Sequence, residues 1–290
     1  MSDPLQEQID DMLKAGKFNS FREAVQFRRG LEKEAADNTG DDSQDSDNSL
    51  VPASLPNCVE GKRPVPNAIL RSALFGVVAK GARKYEQRVL KATVNGISVR
   101  FTGQQLDQSD LDVWLACLHR LGEVPAGNQV YFSIYGFLKS LGRNTGKSDR
   151  EWLKNSLSRL SACLIEMGDG RYFYSGHLIN DYYRDEESGE SVLTLNPKIL
   201  SFFSKELWTG IILDERKKLK GKVLSQWLHG FYSTHAVPHP YKVETLKKLC
   251  GSESDLKEFR RMLKKSLVDL STATGWDCWI DEKDLANVKK

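Results

Sequence analysis

The feature that most constrains this chain of 290 residues is an order of elements that occurs twice. Residues 133–142 predict a helix, 143–148 a polar turn, and 149–167 a second helix. Two strand-like segments, 171–183 and 191–195, then flank an acidic turn. Helix, turn, helix and hairpin is the order of a winged-helix domain, whose second helix is the one placed in a DNA groove.

A second pass of the same order follows downstream. We predict one long helix over 214–235, a shorter helix over 241–251, a turn, a helix over 254–272 and a strand over 276–280. At a constant offset of 106 residues, the pairs that match are Ser148-Asp149 with Ser254-Asp255, Leu153 with Phe259, Leu157 with Leu263, and Leu164 with Leu270. The chain therefore contains a divergent internal repeat, and the predicted fold class is α+β with tandem winged-helix domains.

Upstream of the repeat, residues 88–103 alternate on either side of Asn95-Gly96, a sequence typical of a tight β-hairpin turn. A helix is predicted over 109–122. These segments divide the chain into three predicted regions. Residues 1–63 combine two short helical patterns with a partly disordered acidic linker. A first winged-helix domain follows over 64–208 and a second over 209–290.

Charge separates the head of the chain from the rest. Residues 1–60 hold 6 Lys and Arg against 13 Asp and Glu, whereas the remaining residues hold 36 against 26. A basic body favours a polyanionic partner. No apolar run approaches the roughly 20 residues that span a bilayer, and the five cysteines are scattered without zinc or disulfide spacing. These patterns predict a cytoplasmic protein with no membrane association.

The helix predicted over 254–272 carries the candidate DNA-binding residues. Apolar residues recur at helical spacing from Leu256 to Leu270, so the opposite face must meet solvent or a partner. That opposite face is cationic: Lys257, Arg260, Arg261, Lys264 and Lys265. In a helix-turn-helix such residues contact phosphates and guanine edges in the major groove. The alternative is an ordinary solvated helix face.

Two further clusters are candidate DNA contacts. The corresponding helix of the first copy is less cationic, and its candidates are Lys147, Arg150, Lys154 and Arg159. The start of the long helix carries a basic cluster that suits phosphate contacts, which position a protein without reading sequence. The cluster is Arg216, Lys217, Lys218, Lys220 and Lys222, and the first three are the candidate contacts. A solvated helix start explains this last cluster equally well.

Other motifs do not support an enzyme. Residues 142–148, GRNTGKS, have one residue too few for a phosphate-binding loop and follow a helical segment, so we interpret them as a helix-turn-helix turn with Ser148 or Asp149 capping the next helix. His229, His235 and His239 lie around an irregular proline-rich loop without a carboxylate or cysteine partner for a metal. We predict no catalytic residue, no metal and no cofactor.

With the repeat, the basic second copy and the acidic head, the chain resembles the Rep family of plasmid replication initiators, and within it the initiators of broad-host-range IncP plasmids. The similarity includes residues 108–122, 137–160 and the C-terminal half. It implies two winged-helix domains that bind direct repeats, called iterons, in a plasmid origin, with the second domain making the principal contacts.

The resemblance also implies partners. These are the single strands of a melted A+T-rich segment, the host initiator, the replicative helicase, the sliding clamp, and a second copy of the chain in a replication-inactive dimer formed through the first domain. Two other functions remain open from the residues alone. One is a transcriptional repressor that uses the same winged helices, and the other is a nicking Rep enzyme with Tyr182 or Tyr183 as nucleophile.

Overall fold

A computed structural model describes residues 55–56, 59–79, 81–94, 97–122, 129–168, 173–197, 199, 203 and 207–290. The helical patterns and acidic linker predicted for the head, and the Asn95-Gly96 turn, lie outside these residues. Within them, no helix combines the length and apolar character needed to cross a membrane.

Eight helices are formed by the described residues. They are α1 (Asn67–Leu70), α2 (Gln108–Gly122), α3 (Ile134–Ser140), α4 (Lys147–Ala162), α5 (Leu213–Lys218), α6 (Val223–Ser233), α7 (Val243–Leu249) and α8 (Leu256–Thr274).

Fourteen strands accompany them in the same part of the chain. They are β1 (Lys62–Pro66), β2 (Phe75–Gly76), β3 (Tyr85–Val94), β4 (Ile97–Gln104), β5 (Leu106–Asp107), β6 (Gln129–Ser133), β7 (Leu164–Gly168), β8 (Phe173–Gly176), β9 (Ile179–Arg184), β10 (Glu190–Leu195), β11 (Trp208–Ile212), β12 (Tyr241–Lys242), β13 (Asp277–Ile280) and β14 (Leu285–Lys289).

The two copies of the repeat share one topology. In the first copy β6 leads directly into α3 and α4, and the strands are ordered β6-β10-β9. In the second, β12 leads into α7 and α8, and the order is β12-β14-β13. Each hairpin therefore places its second strand beside the strand that precedes the helix-turn-helix, which confirms the tandem winged-helix prediction.

The first copy contains an additional sheet. Strands β7 and β8 follow α4 and complete a four-stranded antiparallel sheet of order β3-β4-β7-β8. The β3–β4 pairing runs to Val94 opposite Ile97, so the hairpin predicted from alternation is confirmed at its strands. Two short ladders, antiparallel β1–β11 and parallel β2–β5, join the remaining segments.

Two predicted helices have the wrong extent. The helix predicted over 214–235 is divided into α5 and α6, because Gly221 has φ +79°, a left-handed conformation that a helix interior does not allow. The helix predicted to continue to Met167 ends at Ala162, and residues 164–168 pair with β4 instead. Leu164 is thus a strand residue and is not equivalent to Leu270.

The second helices of the two helix-turn-helix units, α4 and α8, start differently. Asp255 caps α8, since its Oδ1 accepts the amide of Glu258 at 2.8 Å, and Gly275 ends the helix in a left-handed conformation. In contrast, α4 starts after Gly146 without a side-chain cap, so the predicted cap at Ser148 or Asp149 is wrong. Asp149 instead accepts a hydrogen bond from Arg143 at 3.0 Å.

Two hydrophobic cores lie along the described chain. The first contains residues between Val65 and Ile211, with Trp114 and Phe137 fully buried. The second contains residues between Leu219 and Val288, with Trp227 and Phe259 at its centre. The first core includes Ile211, and β11 crosses residue 208. The boundary between the predicted regions 64–208 and 209–290 stays a prediction.

Candidate nucleic-acid interface

Helix α8 is strongly divided between a buried and an exposed face. Phe259, Leu263, Leu267 and Leu270 are buried in the second core. Leu256, predicted to start this apolar stripe, is 41% exposed in the first turn and does not belong to it. The stripe fixes the rotation of α8 about its axis, so the opposite residues are directed to solvent.

The centre of that exposed face is a line of three residues. At 100° per residue, Lys257, Lys264 and Val268 lie within about 40° of one another around the helix axis, and all three are exposed. Among the described residues neither lysine has an ion-pair partner. Val268 is 64% exposed, which is unusual for a valine in a helix with an apolar face elsewhere.

The remaining cations of α8 stand beside this line. Both Nε and Nη2 of Arg261 donate to the Glu258 carboxylate, at 2.8 and 2.6 Å. This contact raises the pKa of Arg261 and lowers that of Glu258. Lys265 is exposed on the flank where α8 borders a cleft of about 510 Å³. Arg260 lies on the other flank and pairs with Asp284 of the β13–β14 turn.

The sequence predicts only one of the two strands in the β13–β14 hairpin beside α8. Its first strand was predicted, whereas β14 and the turn were not. Asp281 organises this turn by accepting the amides of Lys283 and Leu285 at 2.9 and 3.0 Å, and hydrogen bonds of this kind lower its pKa. Trp279 projects from the strand surface and is 47% exposed. The pattern of alternation in residues 277–280 was the signal for its outward direction.

In the first copy, α4 offers fewer available cations. Lys147 and Arg150 are exposed, and Arg150 also donates to the carbonyl of Thr145 at 3.0 Å. Lys154 is partly buried, with its Nζ 3.6 Å from Glu151. The helix is also held from the turn before it, where the Arg143 guanidinium stacks 3.6 Å from the ring centroid of Trp152.

Arg159 is held inside the first domain. Its Nη2 donates at 2.8 Å to Asp110, whose side chain is fully buried. The same carboxylate accepts Arg83 at 2.8 Å and Ser156 at 2.6 Å. Two arginines and a hydroxyl thus compensate one buried charge, as buried ions require. The prediction that Arg159 contacts DNA is therefore wrong, because its side chain is only 13% exposed and both Nε and Nη2 donate to the buried Asp110.

The prediction that Arg216 contacts phosphate is also wrong. It is only 3% exposed, its Nε donates to Asp112 at 2.5 Å, and its Nη2 donates to both oxygens of Gln108 at 3.1 Å. Gln226 also donates to Asp112, at 3.2 Å. Because Asp112 and Gln108 belong to α2, upstream of the repeat, Arg216 joins the second copy to the preceding part of the predicted first domain. Its guanidinium is therefore not available to phosphate.

The neighbours of Arg216 remain at the surface. Lys217 is exposed beside Asp214 at 3.2 Å, and Lys218 donates to the carbonyl of Ala273 at 3.4 Å in the last turn of α8. Of the three candidate contacts at the start of the long helix, these two are exposed and can meet a ligand.

Two of the three histidines singled out in the sequence, His229 and His235, make hydrogen bonds in or beside the second core. Nε2 of the buried His229 lies 2.8 Å from Glu215, and burial is the main cause that lowers its pKa. His235 lies between the carbonyl of Phe231 and the hydroxyl of Tyr241, at 2.9 and 3.1 Å. Within the described ranges, no three His, Cys, Asp or Glu side chains cluster as metal ligands.

The topology defines a class, that of tandem winged-helix proteins, and solved structures share it. Domains 2 and 3 of RctB, in a selenomethionine derivative, are 14% identical and match with a TM-score of 0.58 over 78% of this chain and 98% of that one. A second RctB structure of domains 2–3 gives 13% identity and a TM-score of 0.51, covering 77% of this chain and 97% of the other.

Sequence comparison identifies the family. The model of the TrfA protein family matches residues 33–290, and the chain belongs to that family. It is 24% identical over 238 residues to the plasmid replication initiator protein TrfA of Escherichia coli, a match that covers 79% of this chain. The chain spans about 62% of the length of that relative.

Proposed function

We propose that this protein initiates plasmid replication by binding direct repeats in an origin, with α8 as its main reading helix. One observation carries the proposal: Lys257 and Lys264 stand unpaired, among the described residues, on a face of α8 that the buried stripe directs to solvent. A helix held in this way by its own domain is the element that winged-helix proteins insert into the major groove.

The residues divide by role in this proposal. Lysines give sequence-independent affinity through phosphates, whereas an arginine fork can read a guanine edge. We assign phosphate contacts to Lys257, Lys264 and Lys265 and base reading to Arg260 and Arg261. The exposed residues of the first copy and of α5 contribute weaker, positioning contacts, and they are Lys147, Arg150, Lys154, Lys217 and Lys218.

The contacts between the two predicted domains, 64–208 and 209–290, support recognition of one repeat by one protomer. In addition to the contacts of Arg216, Trp227 Nε1 donates to the carbonyl of Ser72 at 3.0 Å, and Arg71 donates to Thr234 at 2.7 Å. These are buried or partly buried contacts, so the two reading helices are held as a unit. Such a unit would address two successive segments of one repeat with a fixed spacing.

A binding role is favoured over DNA nicking by the environment of Tyr182. Its ring stacks on Phe132 with centroids 6.5 Å apart and packs against the first core. A nicking enzyme needs a tyrosine whose hydroxyl reaches a phosphate beside a metal. We therefore propose a non-enzymatic initiator without catalytic residues, metal or cofactor.

The wider activity rests on the family. We propose that the protein opens an A+T-rich segment and binds its single strands, recruits the host initiator, helicase and sliding clamp in the cytoplasm, and forms an inactive dimer through its first domain.

Footprinting on the plasmid that encodes the protein tests the proposal. Evenly spaced, directly repeated protected segments beside an A+T-rich tract are the expected result, and permanganate should detect unpaired thymines in that tract. Protection of a single inverted repeat over a promoter would instead support a transcriptional repressor. Cleavage of supercoiled origin DNA in the presence of Mg²⁺ would support the nicking enzyme.

A further inference from the structure

Among the residues that the structure describes, Arg260 is the one cation on the exposed face of α8 that pairs with a carboxylate of another element. Its Nη2 lies 2.5 Å from Oδ2 of Asp284, in the turn between β13 and β14. The two side chains are 46% and 34% exposed, so the pair lies at the surface and is open to a ligand. In comparison, Arg261 is paired with Glu258 of its own helix.

The position of Asp284 is set by backbone contacts on both sides. Its amide donates to the carbonyl of Asp281 and its own carbonyl accepts the amide of Val243, each at 3.1 Å. Val243 is the first residue of α7, so one residue joins the hairpin turn to both helices of the helix-turn-helix. Asp284 also has φ +61°, a left-handed conformation in which Asp and Asn are the favoured residues after Gly.

A fixed carboxylate changes what an arginine can do on DNA. A guanidinium has five N–H donors in one plane, and a single bond to a carboxylate leaves the others available. Holding that plane reduces the rotamer entropy lost when two donors meet O6 and N7 of a guanine. The same negative charge partly cancels the attraction of Arg260 to phosphates, which are present in every sequence.

We propose that Asp284 is a specificity-determining residue that orients Arg260 toward a base and opposes its use on the phosphate backbone. The inference rests on the proposed function, because it requires α8 to read DNA. Asp284 touches no DNA in this scheme and acts through Arg260 as a positioning residue.

The test compares two variants that each remove one negative charge from the same turn. Asp284→Asn keeps the left-handed conformation and the backbone contacts, and it removes the partner of Arg260. Glu282→Gln is the matched control, since Glu282 is exposed and, in the described part of the chain, has no ion-pair partner. Full-length protein is titrated with two fluorescent 30-bp duplexes, one selected by the wild type from a random pool and one of mixed sequence.

Asp284→Asn should reduce the ratio of selected to mixed-sequence affinity by about tenfold, the discrimination expected of one bidentate base contact. Glu282→Gln should alter both affinities together and leave the ratio within about twofold, as for a change in overall charge. In an Arg260→Ala background, Asp284→Asn should have no effect on the ratio, because the residue acts through that arginine. Equal melting temperatures of the single variants verify the fold.

The outcomes separate the two proposals. Suppose that the wild type selects a sequence but Asp284→Asn and Glu282→Gln have the same ratio of selected to mixed-sequence affinity. This result overturns the inference and leaves the proposed function intact. If Asp284→Asn reduces the affinity ratio in the Arg260→Ala background as much as it does in the wild type, this inference is also overturned. A wild type that selects no sequence from the pool overturns the proposed function, and this inference with it.

Discussion

The two winged helices share a topology but use their cations differently. At the offset of 106 residues, Arg159 in α4 corresponds to Lys265 in α8. Arg159 is bound to the buried Asp110, whereas Lys265 is exposed. One copy thus uses its charge to hold the domain together and the other presents it to solvent. The number of Lys and Arg residues on a helix therefore indicates affinity for DNA only when the buried and paired side chains are left out of the count.

The largest expected effect is a difference in the free energy of unfolding between alanine variants at Arg159 and Lys265. Arg159→Ala should lower the free energy of unfolding by about 2–3 kcal/mol, since it removes a charged hydrogen bond from a buried carboxylate. Lys265→Ala should change it by less than about 0.5 kcal/mol, as for an exposed residue. Urea unfolding followed by tryptophan fluorescence measures both. Equal losses would show that the comparison between the copies is wrong.

The next effect concerns affinity for DNA. Replacing Lys257 and Lys264 by alanine should weaken binding about 30-fold at 0.15 M salt and reduce the salt slope by about 2, the values for two lost phosphate contacts. The matched pair in the first copy, Lys147→Ala with Arg150→Ala, should cost less than about fivefold, near the value of one such contact. Anisotropy titrations across a salt series give both quantities. A greater loss for the first-copy pair would move the main reading role to α4.

The sequence predicted the helix-turn-helix elements because their signals are local. Apolar spacing fixed the buried face of α8, and the cations opposite it follow from the same periodicity. Arg159 and Arg216 were misassigned because their partners Asp110 and Asp112 lie 49 and 104 residues away, and no local pattern shows such a contact. The extent of the helices failed for a similar reason at Leu164, where pairing with a distant strand decides the conformation.

A third prediction compares how pH acts on the polar clusters of the two domains. Burial, with Arg216 and Lys290 nearby, lowers the pKa of His229 below 6.5, although Glu215 opposes the shift. Well above pH 6.5 neither state is protonated there and the full stability is present. As the pH falls below 6.5, the unfolded chain binds the proton first, so stability decreases.

His229→Gln should therefore flatten the loss of stability between about pH 6.5 and 5.5, measured by urea unfolding at several pH values. Part of the slope should remain, because burial also lowers the pKa of His235. The buried cluster of the first domain, by contrast, joins Arg83 and Arg159 to Asp110. The exposed His239 provides the control, and an equal flattening in His239→Gln would contradict the assignment to His229.

The smallest expected effect concerns Val268, the apolar residue in line with Lys257 and Lys264 on the exposed face of α8. Val268 corresponds to Ala162 at the same offset, so Val268→Ala makes the second copy resemble the first. An exposed valine that follows Lys257 and Lys264 along the same line of α8 is suited to contact a thymine methyl group if this face enters the major groove. The substitution should weaken binding to the selected duplex about two- to threefold, the value of one small apolar contact. When deoxyuridine replaces the thymines of that duplex, wild type and variant should bind equally, because the methyl group is then missing from the DNA. A variant that still binds more weakly to the uracil duplex would show that Val268 acts through the helix and not through the base, and the difference between the two copies would then be one of charge alone.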